Sequence, residues 1–469
     1  MIVRENPARP AEVVGRVAVT TDVASVVQGA ELAWRASGLD VDGRCAALLA
    51  GASAVEQVIP ELAELLARET GKPLADCAGE IGFALTYTRW VARTAPEVLE
   101  TREVDDALGR LVLRPEPFGV IAAITPWNAP VILAMLKVAP AIAAGNAIVV
   151  KPSPLAPFAV SRVLALLAAH LPAGLLQVVH GGPEVGSALI GDRLVRKVAF
   201  TGGDVTGRAI AHLAAERLVP TVMELGGNDP AVLLADADLH DEAMDRLVMA
   251  SFATSGQVCM AAKRLYVHRS RAAEFVDAYR AAADRVLVTG DPLASGVTMG
   301  PVVTRAAADR MATLLGQGIV HPLGSTVGDL GEGYFVPPTL VTGLADDAPL
   351  VAQEQFGPAV PLLVFDDEDE VVARANAGEL GLCASVWSRD EERAFALGGR
   401  LEAGFVFVNT HNRTGMSLRA PFGGVKGSGF GREYGEEGLR EYVQTCATHA
   451  PAAFRAGGSG SGAAAYPAG

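Results

Sequence analysis

Met223-Glu224-Leu225-Gly226-Gly227-Asn228-Asp229-Pro230, followed by Ser255-Gly256-Gln257-Val258-Cys259-Met260-Ala261, is the stretch that decides the fold. A carboxylate precedes a thiol by 35 residues, and glycines frame both. Glycine lets a backbone turn tightly or approach a ligand closely. A deprotonated cysteine is a strong nucleophile, and a glutamate can act as base toward it or toward a water. The bland alternative for Cys259 is a buried, inert thiol, as most free cysteines are. Its neighbours weigh against that.

Upstream, apolar runs alternate with helical periodicity. Phe118-Gly119-Val120-Ile121-Ala122-Ala123-Ile124 predicts a buried strand, with Thr125-Pro126-Trp127-Asn128 as the loop leaving it. A turn-forming asparagine is the alternative for Asn128. A helix over 130–144, a strand over 147–150 ending in Lys151-Pro152-Ser153-Pro154, a helix over 157–171 and a strand over 177–180 follow. Lys197-Val198-Ala199-Phe200 predicts the next strand, leading into Thr201-Gly202-Gly203-Asp204-Val205-Thr206-Gly207 and a helix over 208–217. A glycine turn before a helix suits phosphate, through free N–H groups and the helix dipole. Asp204 is read as the N-cap of that helix. Thr221-Val222-Met223 is the last strand of this half, with Glu224 at its end. Such alternation describes a doubly wound parallel sheet, whose ligands collect at the carboxyl ends of strands.

A second α/β unit is expected from about Gly227 onward, with a helix over Asp241–Phe252, a strand over 264–268, a helix over 271–288 and a strand over 401–409. Residues 31–95 have helical spacing, and Glu69-Thr70-Gly71-Lys72-Pro73 is a helix stop and turn. Residues 1–30 are weakly patterned and are expected to form a partly ordered arm. Strand signal appears over 103–114 and, weakly, over 442–448. The segment 451–469, rich in Gly, Ala and Ser, is expected to be a disordered tail.

A chain of 469 residues, half of them hydrophobic, is long enough for two to four domains with large cores. No uncharged apolar run is long enough to span a membrane: the stretch 131–150 is broken by Lys137, Pro140 and Asn146. The first residues lack the apolar core of a signal peptide, so a soluble cytoplasmic protein is expected. Five cysteines without CxxC spacing argue against a zinc site and a disulfide framework. The net charge of −14 disfavours nucleic acid and anionic membranes as partners.

The glutamate and cysteine motifs resemble those of the aldehyde dehydrogenase superfamily. The glutamate signature fits Met223 to Pro230, the cysteine signature fits 253–263, and the likeness runs from about Glu31 to about Ala447. The resemblance implies an α/β fold with a doubly wound parallel-sheet cofactor domain, a second α/β catalytic domain and a small β oligomerisation element. It implies a dinucleotide-binding domain at 1–98 and 118–226, a catalytic domain at 227–426, and oligomerisation strands at 99–117 and 440–450. By the same resemblance Cys259 is the nucleophile, Glu224 the base that activates water, and Asn128 an oxyanion donor together with an amide at Cys259.

The implied reaction is oxidation of a small-molecule aldehyde to a carboxylic acid with NAD, with NADP possible, through a cysteine thiohemiacetal and thioester. Relatives that pass the acyl group to coenzyme A generally lack the glutamate, so Glu224 favours hydrolysis. The resemblance places the cofactor against Thr125, Pro126, Trp127, Lys151, Ser153, Thr201, Gly202, Gly203, Thr206 and Leu225. Glu354 would hold the nicotinamide ribose, Phe356 would lie against its ring, and Lys151 would bind the adenine ribose. A charged turn with a core phenylalanine is the alternative for Glu354 and Phe356. Two positions depart from the family pattern: Pro154 replaces a glutamate that repels a 2′-phosphate, and Gly203 replaces a serine that touches the pyrophosphate. The family also implies a homodimer or homotetramer.

Three other readings stand beside this one. They are a catalytically idle copy of the fold used for binding, an NADP-dependent enzyme specific for semialdehydes, and a thiol hydrolase. No histidine sits in a recognisable partner motif for the last of these. Arg413 and Arg419, in the segment after residue 409, are either anion-binding groups or solvated loop arginines.

Overall fold

Val120–Ile124 and Ala147–Lys151, buried at every position, lie side by side and parallel in the computed structural model, which describes residues 1–316, 318–412 and 415–454. They are the fourth and fifth strands of a six-stranded sheet in the order Gly429–Phe430, Thr221–Glu224, Val195–Thr201, Val120–Ile124, Ala147–Lys151, Leu176–Val178. Strands covered on both faces have no solvent side, which is why their sequences are continuous apolar runs rather than alternating ones. Helices Val23–Ala36 and Pro183–Gly191 pack on this sheet, as does Pro130–Ala143, which is itself covered by the long helix Leu74–Val98.

A second sheet of seven strands has the order Ile319–Pro322, Thr339–Thr342, Ala359–Phe365, Ala262–His268, Asp229–Leu233, Cys383–Trp387, Phe405–Val408. All its pairings are parallel except that of Ile319–Pro322. A third sheet is antiparallel: Val443–Pro451 pairs along its length with Gly109–Pro117, which pairs in turn with Arg102–Asp106. No single helix among the described residues is long and apolar enough to cross a membrane.

Four expectations are corrected. Residues 1–30 are not a weakly ordered arm: Ile2–Asn6 and Arg9–Val17 form an antiparallel hairpin, and Val23–Ala36 is a helix capped by Asp22. Long-range bonds order the hairpin. Arg4 is buried and donates to the carbonyls of Glu69 (2.7 Å) and Val303 (3.0 Å), and the Tyr334 hydroxyl donates to Glu5 (2.7 Å). The helix expected over 208–217 is Asp204–Ala215, capped by Gly203, so Asp204 is its first residue and makes no side-chain cap. The strand expected over 177–180 is Leu176–Val178, because the backbone of His180 turns to bond Thr20. The expected tail is partly ordered: Pro451 ends a strand and Ala452–Phe454 is a 3₁₀ turn, while residues 455–469 lie outside the described residues.

Among the elements not foreseen are helix Pro183–Gly191, helix Arg305–Leu315, the strands Ala359–Phe365 and Cys383–Trp387 of the second sheet, and the strand Gly429–Phe430, which returns late chain to the edge of the first sheet, beside Glu224. The helix stop at 69–73 is as expected: Gly71 takes φ +80 and its N–H closes on Ala67.

Because Arg4 satisfies two buried carbonyls from two parts of the fold, Arg4→Met is expected to cost about 1–3 kcal/mol. The apparent melting temperature should fall by about 1–3 °C, given the unfolding entropy of so long a chain. An unchanged melt would show that Arg4's bonds to Glu69 and Val303 add nothing to stability.

Candidate active site

The two large sheets offer opposite ends to one another. The first contributes the carboxyl ends of its strands: Thr125–Asn128 after Val120–Ile124, Gly202 and Gly203 after Val195–Thr201, and Leu225 and Gly226 after Thr221–Glu224. The second contributes amino ends: Cys259 precedes Ala262–His268, and Glu354 and Phe356 precede Ala359–Phe365. Between them lies a cavity of roughly 220 Å³ lined by Pro126, Trp127, Asn128, Thr201, Gly202, Gly203, Leu225, Gly226, Cys259, Glu354 and Phe356.

The thiol is delivered by an unusual turn. Helix Asp241–Phe252 ends in a 3₁₀ turn in which Thr254 and Ser255 both have φ +56 and Gly256 has φ +68. Left-handed backbone costs a non-glycine residue about 1–2 kcal/mol. Hydrogen bonds offset that cost: Ser255 Oγ donates to Gly300 O (2.7 Å), Gln257 Nε2 to Thr254 O (3.1 Å), and Val303 N to Gln257 Oε1 (2.9 Å). Asn128 Nδ2 donates to Gln257 O at 3.0 Å, leaving its second amide N–H for another acceptor. Gly227 is required here, since a Cβ would strike the carbonyl of Cys259.

Cys259 is half-buried. Burial pushes its thiol well above the usual range, and the charges that weigh most on it, Asp229, Glu224 and Glu354, push the same way; the N–H of Met260 pulls weakly down. Glu354 accepts from Gly227 N at 3.2 Å, yet burial raises its carboxyl to about 7. Trp127 and Phe356 meet edge to face, with ring centroids 5.7 Å apart.

Glu224 does not line the cavity. Its carboxylate is buried, without a hydrogen-bond partner on either oxygen, and packs so near Gly423 that a Cβ there would stand 2.9 Å from Oε1. Burial raises its carboxyl well above the ordinary range, Glu433 adds to that, and Lys137 and Arg432 oppose it. Lys137 is fully buried and donates to Thr201 Oγ1 and Glu433 Oε1, both at 2.6 Å. Neither Lys137 nor Glu433 was singled out from sequence; the signal was a charged residue inside an otherwise apolar helix, which must find a partner.

Lys151, Ser153, Thr125 and Thr206 also lie outside the cavity. Lys151 is buried at a strand end and its ammonium donates to no group among the described residues; burial lowers its pKa. Ser153 Oγ accepts from Leu155 N (3.2 Å), Thr125 Oγ1 is buried without a partner, and Thr206 is exposed in the first turn of its helix. Arg419 is exposed and Arg413 lies outside the described residues.

A nicotinamide cofactor fits these residues. The Lys151 ammonium, which donates no hydrogen bond among the described residues and feels the Glu184 carboxylate, suits ribose oxygens, and the helix N-terminus behind Gly203 suits the pyrophosphate. Trp127 and Phe356, which meet edge to face in the same cavity as Cys259, suit a flat nicotinamide ring.

The model of the aldehyde dehydrogenase family matches residues 2–448. The chain is 38% identical over 398 residues to the 3-sulfolactaldehyde dehydrogenase of Pseudomonas putida, covering 82% of this chain and 79% of that one. It is 37% identical over 391 residues to the NADP+ succinate-semialdehyde dehydrogenase of Escherichia coli K12, covering 82% and 80%. Its fold matches the indole-3-acetaldehyde dehydrogenase of P. syringae, solved in complex with NAD+, with a TM-score of 0.90 at 29% identity over 96% and 93% of the two chains.

Because every major charge near Cys259 disfavours the thiolate, the free protein should be alkylated slowly by iodoacetamide at this residue. The rate should climb with pH and show no plateau below about pH 9. Saturating NAD+ should speed the reaction at neutral pH, read by peptide mass. A plateau near neutrality without cofactor would contradict this electrostatic picture.

Proposed function

The chain belongs to the aldehyde dehydrogenase family and is an NAD(P)-dependent oxidoreductase acting on aldehydes, and on that premise we propose how its residues carry the reaction. The observation that supports the assignment most directly is one cavity shared by Cys259, Asn128, Glu354 and Phe356, beside a buried carboxylate with no partner.

The thiol proton of Cys259 passes through water to ionised Glu224, and Sγ attacks the aldehyde carbon. The free amide N–H of Asn128, with a main-chain N–H at Cys259, takes the charge that develops on the carbonyl oxygen. The bound nicotinamide supplies the hydride acceptor. What remains on Cys259 is a thioester, a good acyl donor because a thiolate leaves easily. Glu224, its proton passed to solvent, then swings away from Gly423 and accepts a proton from a water whose oxygen attacks the thioester carbon; the C–S bond breaks, Cys259 leaves as thiolate and the carboxylic acid is released. Its raised pKa makes it a stronger base once ionised, so thioester hydrolysis should rise with pH through that raised value. Glu354 and Phe356 hold the nicotinamide ribose and ring. Thr125, Pro126, Trp127, Lys151, Ser153, Thr201, Gly202, Gly203, Thr206 and Leu225 form the remaining cofactor contacts.

We assign the domain limits as the sheets suggest, with residues 1–98 and 118–226 around the cofactor and 227–426 around the thiol. The sheet of Arg102–Asp106, Gly109–Pro117 and Val443–Pro451 keeps the outer edge of Val443–Pro451 unpaired among the described residues. It is assigned to pairing with a second copy in a homodimer or homotetramer.

Cys259→Ala should abolish cofactor reduction with any aldehyde while NAD binding and the melting temperature stay near wild type. Turnover at the wild-type rate would refute the assignment. Cofactor choice has its own test. Pro154 begins a tight turn closed by Ala156 N on Ser153 O at 3.1 Å, a position that other residues tolerate. Pro154→Glu should raise the KM for NADP at least about tenfold and leave that for NAD within about twofold, since a like charge beside a 2′-phosphate is costly. Equal effects on both cofactors would place the adenine ribose elsewhere.

A further inference from the structure

The turn Glu69-Thr70-Gly71-Lys72-Pro73 explains its glycine and proline as a helix stop, but not its lysine. Lys72 is buried and forms an ion pair with the equally buried Glu80. Its ammonium also donates to the main-chain carbonyl of Asn128 at 3.1 Å. The second oxygen of Glu80 accepts from the N–H groups of Val131 (2.8 Å) and Ile132 (3.3 Å). Those are the first free N–H groups of helix Pro130–Ala143, whose own cap residue, Ala129, provides no side-chain cap. Glu80 therefore does from outside the helix what an N-cap residue does from within.

Asn128 is thus held on three sides. Lys72 holds its carbonyl, Glu80 holds the helix that starts two residues later, and Gln257 O receives one N–H of its side chain. The same turn also supports the thiol loop: Gly71 packs against Pro301, and Gly300 O receives the hydroxyl of Ser255. Lys72 itself does not line the cavity.

Burying two full charges to cap a helix is costly, and well-packed apolar residues of similar volume are often as stabilising. The pair does something an apolar pair does not: it places a positive donor on one specific carbonyl. We propose that Lys72, paired with Glu80, is a positioning residue that fixes the main chain of Asn128 so that its free amide N–H stays aimed at the reacting carbonyl oxygen. This rests on Asn128 acting as an oxyanion donor.

Lys72→Met alone would strand Glu80 as a buried unpaired charge and risk unfolding. The test is therefore the double variant Lys72→Met/Glu80→Gln, which removes both charges and keeps an acceptor for Val131 and Ile132. The quantities are kcat/KM for aldehyde, the KM for NAD and the melting temperature, in wild-type and Asn128→Ala backgrounds. A misplaced catalytic group costs up to about a hundredfold, so kcat/KM should fall about ten- to a hundredfold with the KM for NAD unchanged. In the Asn128→Ala background the same pair of changes should cost less than about twofold, because the group it positions is already gone. No fall in the wild-type background, or an equal fall in both backgrounds, would overturn the proposal. If Asn128→Ala alone leaves turnover intact, the failure lies instead with Asn128 as oxyanion donor, and the role of Lys72 falls with it.

Discussion

The hydrogen bond from Asn128 Nδ2 to the carbonyl of Gln257 crosses from one parallel sheet's loops to the other's, and the site depends on it. On one side it belongs to the loop that ends Val120–Ile124; on the other, to a backbone turn that runs through three successive left-handed residues. Such a turn does not hold itself. Ser255, Gln257 and Lys263 tie it to Gly300, Val303 and Gly357, and each of those lies in a loop that also touches the cofactor side or the N-terminal hairpin. The thiol is placed by contacts spread over the whole chain rather than by its own segment.

Desolvation sets the chemistry of the cluster. Cys259, Glu224 and Glu354 are each pushed toward their neutral forms, chiefly by burial, and the carboxylates around them reinforce one another. Glu224 sits one layer deeper, beside the Lys137–Glu433 pair, with neither oxygen hydrogen-bonded.

Much of this was legible in the residues. Continuous apolar runs announced the central strands because strands buried on both faces admit nothing else, and helix Asp241–Phe252 matched its expected limits. The glutamate and cysteine signatures contain Leu225, Gly226 and Cys259 of the cavity lining, and the rest of that lining comes from loops far from both. What stayed hidden depends on partners far away in sequence. The N-terminal hairpin looked patternless because its order comes from Arg4 reaching Glu69 and Val303. Lys137 looked like a mere interruption of an apolar run because its partner, Glu433, is 296 residues distant. The strand Gly429–Phe430 is two residues long and exists only because Thr221–Glu224 offers it an edge. Left-handed φ values at Thr254 and Ser255 leave no mark in composition, since neither is glycine.

The central claim is that Cys259 carries the acyl group and Glu224 removes it. Glu224→Gln mixed with an aldehyde and NAD should accumulate a covalent adduct on the peptide containing Cys259, lighter than the aldehyde by two hydrogens, with one reduced cofactor released per adduct. An unmodified Cys259 peptide in a variant that still reduces cofactor once would contradict the account.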